Sequence, residues 1–111
     1  MKTVTVELDK PRRLRFDINA LADVEEAMGV GIGAIFQQQV GVRMIRTLLW
    51  AGLKWEDPGL TQQRAGLLLQ KYLEQGGDLG ALVDRLLEAL KASGLVGKAE
   101  DPNADEAEAA S

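Results

Sequence analysis

Hydrophobic and polar residues alternate at the start of this chain and then recur at helical spacing. Val4, Val6 and Leu8 interleave with Thr3, Thr5 and Glu7. A period of two with β-branched residues predicts a strand over 3–8. Asp9-Lys10-Pro11-Arg12 predicts a turn, with Pro11 presetting φ at its second position. Alternation resumes at Arg13-Leu14-Arg15-Phe16-Asp17, so a hairpin spans 3–17, with Leu14 and Phe16 on its apolar face and Arg13 and Arg15 on the other. Two strands alone are marginal in water. This hairpin must pack on helices or pair with another chain.

From residue 18 the period changes. Leu21, Val24 and Met28 share a helix face that Ile18 can join from the entry, while Asp23, Glu25 and Glu26 lie largely off it. Asp17 or Asn19 can cap this helix, and Gly29 ends it. Gly29-Val30-Gly31-Ile32-Gly33 is expected to be a flexible joint, followed by a short helix over 34–39 with Ile32, Ile35 and Phe36 apolar. A stronger helix is predicted over 42–54, with Val42, Ile45, Leu49 and Leu53 on one face, widened by Leu48. Arg43, Arg46, Trp50 and Lys54 form a second stripe on it. Thr61 caps a helix over 62–75, with Leu68, Tyr72 and one or more of Leu67, Leu69 and Leu73 inward. Asp78 caps the last helix, whose Leu79, Leu82, Val83, Leu86, Leu87 and Leu90 keep the cleanest period before Gly94 closes it. The fold class is therefore mainly α with a small N-terminal β-hairpin (α+β), about four to five helices in one domain over 1–97. Residues 98–111 carry no bulky apolar side chain and read as a disordered acidic tail.

Charge and composition narrow the chemistry. Of 111 residues none is His or Cys. That removes thiolate metal sites, disulfides and the usual neutral-pH general base. The net charge of -4 lies in residues 98–111, where Lys98 stands against five acids, so the body is neutral. A neutral body argues against nucleic-acid binding, which needs a concentrated basic face. The start lacks the apolar core of a signal peptide, and no run approaches a membrane span. A soluble protein without a reactive centre is expected.

Candidate sites weigh the same way. Gly29 to Gly33 follows a helix and lacks the Lys-Ser/Thr of a phosphate loop, so it reads as a hinge. Asp23, Glu25 and Glu26 could hold a divalent ion, but acids in a helix's first turns are expected from its dipole. Arg12, Arg13 and Arg15 could meet phosphate; they read better as edge protection or as contacts to an acidic partner. Trp50 packs beneath the following loop or lies exposed beside Arg46, a pairing enriched at binding hot spots. The apolar band of the last helix is core, wide enough for part of it to serve a partner groove. The candidate partner-binding residues are Arg43, Arg46, Trp50, Trp55, Leu82 and Leu86; no catalytic, cofactor or metal residue is assigned.

The order hairpin, then Phe16-Asp17-Ile18-Asn19-Ala20-Leu21-Ala22-Asp23-Val24-Glu25-Glu26-Ala27-Met28-Gly29, then a helix carrying Leu48, Leu49, Ala51, Gly52 and Leu53, resembles the small tail assembly chaperones of long-tailed phages and gene transfer agents. Matching positions are Phe16, Asp17, Ile18, Leu21, Glu25, Glu26, Gly29, Leu48, Leu49, Ala51, Gly52 and Leu53, within a similarity over roughly residues 3–95. The resemblance implies a non-enzymatic protein of the host bacterial cytoplasm. It would form homo-oligomers, coat the tape measure protein and be absent from the finished virion. It also implies contact with the tail tube protein through a frameshifted longer form. The acidic tail and the Gln37-Gln38-Gln39 run depart from the family pattern. A structural tail tube or head–tail component is the alternative, and a small helical DNA-binding or antitoxin protein a further one.

Overall fold

The computed structural model describes residues 2–35, 37 and 39–94. The expected class holds: a two-stranded antiparallel hairpin precedes five helices. Strands β1 (Val4–Glu7) and β2 (Pro11–Leu14) pair with Val4 opposite Leu14 and Glu7 opposite Pro11. The turn lies one residue earlier than expected. Pro11 already belongs to β2, and the Leu8 N–H donates to the Lys10 carbonyl at 3.2 Å. Pro11 fits there because Glu7 and Pro11 form a pair that exchanges no backbone bonds, so its missing N–H costs nothing.

The helices are α1 (Ile18–Met28), α2 (Ile32–Ile35), α3 (Val42–Leu53), α4 (Gln62–Glu74) and α5 (Leu79–Ala92). Three begin on side-chain caps: Asp17 accepts from the Ala20 N–H, Thr61 from that of Arg64 and Asp78 from that of Ala81. Gly29 ends α1 in the left-handed region at φ 75°, with its N–H on the Glu25 carbonyl. The glycine stretch after it is more ordered than a free joint. Glu25 Oε2 accepts from the Ile32 N–H at 2.7 Å, and α2 starts at Ile32, two residues ahead of the expected helix. Phe36 and residues 98–111, for which burial and disorder were expected, lie outside the described residues.

Helix α3 is the axle of the fold. It packs against α1, α4, α5 and β2, so Met44, Ile45, Thr47, Leu48, Leu49, Ala51, Gly52 and Leu53 are all buried. A single apolar stripe cannot describe a helix enclosed on most of its sides. Its N-terminal end projects beyond the neighbours, which leaves Val42 68% exposed. Ile18 is 64% exposed for the same reason at the start of α1; it does not join the Leu21 and Val24 face. Helix α5 packs on β1. Leu14 and Phe16 press onto α3 at Gly52, where an added Cβ would sit 2.9 Å from each. The Gly52 carbonyl accepts the Arg15 N–H at 2.9 Å, so hairpin and helix meet backbone to backbone.

Candidate interaction surfaces

The six candidate contact residues fall into three places. Arg43 is exposed and donates to the Ala27 carbonyl in the last turn of α1 at 2.9 Å. A cation there complements the negative end of the helix dipole. Arg46, one turn on, is half-buried, its Cδ 3.2 Å from where a Cβ on Gly66 of α4 would be, and its Nε is enclosed without a protein acceptor. Trp50 lies half-buried under the loop after α3, its Nε1 donating to the Leu60 carbonyl at 3.0 Å and Lys54 Nζ 4.5 Å from its ring centroid. Of the two readings open for Trp50, this geometry takes packing beneath the loop.

Trp55 belongs to a different cluster. Its Nε1 donates to the Arg13 carbonyl at 2.9 Å, and the guanidinium carbons of Arg13 and Arg15 lie 5.1 and 5.2 Å from its ring centroid. Arg13 also grips Glu56, with Nε on Oε2 at 3.0 Å and the backbone N–H on Oε1 at 3.4 Å. Arg12 forms a two-pronged contact with Asp9 at 2.7 and 2.9 Å and reaches Asp57 at 3.7 Å. The hydrogen bonds from Arg12 hold the Asp9 carboxyl down at about 2, and those from Arg13 lower that of Glu56. The acidic contacts expected for Arg12 and Arg13 thus come from within the chain. The acids of α1 are engaged as well: Asp23 with Lys54, Glu25 with the Ile32 N–H. Among the described residues no three His, Cys, Asp or Glu side chains gather as a metal site would require.

Leu82 and Leu86 need correction as contact residues. They are 2% and 1% exposed, at the centre of the face that α5 turns to the hairpin and α3. The residues of α5 that reach a surface lie at the edge of that band. Val83 and Leu87, both half-buried, line an apolar cleft of about 150 Å³ with Ile35, Val40, Met44 and Ile45, and Leu86 contributes only to its wall. Val40 stands at the cleft and is 51% exposed. Sequence reasoning named the wide band of α5 but missed the cleft, because three separated segments form it. The available signal was the pair Val40 and Val42 flanking Gly41, apolar residues at a helix start with no assigned partner.

No helix among the described residues is long and apolar enough to cross a membrane. No protein-family model, no curated protein and no solved structure matches this chain.

Proposed function

We propose that this chain is a non-enzymatic tail assembly chaperone of a long-tailed phage or gene transfer agent. It acts in the host cytoplasm by shielding the tape measure protein until tail assembly, and it leaves before the virion is complete. The single observation that carries this reading is the apolar cleft between α2, α3 and α5, with Val40 exposed beside it. A cleft of about 150 Å³ accepts one or two bulky apolar side chains of an amphipathic helix. The residues carrying the family resemblance, Phe16 to Gly29 and Leu48 to Leu53, lie on β2, α1 and α3, which brace that cleft or the hairpin beside it.

Co-expression with the tape measure chain encoded beside it tests the proposal. The tape measure chain should stay soluble and co-purify, and Val40→Asp should weaken the complex while leaving the helical circular dichroism unchanged. A tape measure chain that precipitates equally with and without this protein contradicts it. Mass spectrometry of purified particles decides against the structural alternative if the protein is missing and for it if the protein is abundant.

A further inference from the structure

The two edges of the hairpin are treated differently. On β2 the outward backbone groups are all accounted for: Pro11 has no N–H, the Arg13 N–H meets Glu56, the Arg13 carbonyl accepts from Trp55 and the Arg15 N–H meets Gly52. In an antiparallel pair, opposite residues point their backbone groups the same way, both inward or both outward. Thr5 faces Arg13 and Glu7 faces Pro11, so Thr5 and Glu7 of β1 turn their N–H and C=O groups outward too, away from β2. Extending the register places Thr3 opposite Arg15 with the same orientation. The sheet has no third strand, and these outward groups have no partner among the described residues. Thr3, Thr5 and Glu7 are all exposed. Residues 3–6 of this edge carry no proline and no charge, the usual means of blunting an open edge.

We infer that β1 is a docking strand for a second copy of this chain, giving a four-stranded sheet about a two-fold axis at Thr5. Three features favour a copy of itself as the occupant. First, the face pattern permits it. With Thr5 opposite Thr5 of the second copy, Val6 lies opposite Val4 of that copy on the helix side, Thr3 lies opposite Glu7, and no like charges meet. Second, a recess of about 170 Å³ lined by Val6, Tyr72, Ala81, Leu82 and Arg85 runs beside this edge, where the incoming Val4 would fall. Third, the covered β2 edge of each copy ends the sheet. Pairing through β1 alone gives a closed dimer and no fibre. The inference is independent of the tape measure reading, and the isolated chain tests it.

Sedimentation of the full chain over a concentration series should show a monomer–dimer equilibrium. Thr5→Pro removes the outward N–H from both copies and should weaken association about tenfold or more, with the helical circular dichroism kept, since edge strands tolerate proline. Because Thr5 meets itself, Thr5→Lys and Thr5→Glu should each dissociate the dimer alone, while an equimolar mixture of the two restores it. A wild type that stays monomeric at every concentration overturns the inference. So does a dimer indifferent to all three substitutions.

Discussion

At Gly52 the fold admits no side chain. Leu14 and Phe16 occupy the space, and the Arg15 N–H reaches the carbonyl. Gly52→Ala should therefore lose about 1–3 kcal/mol of stability through overpacking, measured by urea melting; an unchanged midpoint would mean the hairpin is not seated on α3. Asp9 offers a test in pH. Its folded carboxyl titrates at about 2 against the ordinary 3.8. The Arg12 contact therefore stabilises fully above the ordinary value, and its contribution is lost as pH falls towards about 2. In Arg12→Gln the Asp9 carboxyl should titrate nearer 3.8 by NMR, and the stability gap to wild type should close in acid. A gap that persists below pH 2 would show that Arg12 acts by packing alone. Caps were readable at this scale because they are local: Asp78 and Thr61 stand three residues before the N–H groups they accept. The choice between Asp17 and Asn19 was not, since both suit the role and only the chain direction entering α1 decides it.

Elements are held to one another by contacts that no local pattern displays. Arg13 and Glu56 are 43 residues apart, as are two elements that sequence periodicity treats separately. The hairpin, the five helices and most of their ends followed from period and punctuation. The partners of the hairpin's arginines did not, because a charge pattern on one strand does not say which loop will face it. Trp55 is the centre of that docking. Trp55→Ala should raise amide exchange at Arg13 and Arg15 while leaving α4 and α5 protected; equal loss of protection everywhere would make Trp55 part of the global core. The reading of α5 as a band wide enough for both core and partner was right in width and misplaced in detail. Leu82 and Leu86 sit at its centre and are enclosed, and Val83 and Leu87 at its margin reach the cleft. A helical wheel gives the stripe, but which part of the stripe is covered depends on where β1 and α3 lie.

On the scale of the whole molecule, one core built around α3 leaves a single apolar recess between α2, α3 and α5 as the described feature best shaped for another polypeptide. Residues 98–111 contribute charge without bulky apolar groups, so their removal should leave the cooperative melt unchanged; a loss of cooperativity would assign them a role in the fold. The general class of function was legible in what the composition lacks. The binding surface was not, because it exists only once three segments have met. Methyl NMR tests the central claim most directly, by titrating the labelled chain with a helical segment of the tape measure protein. The methyl signals of Val40, Val83 and Leu87 should shift together and saturate, with those of Val4 and Val6 on the hairpin unmoved. Shifts confined to the hairpin, or none at all, would contradict the claim that the cleft receives that partner.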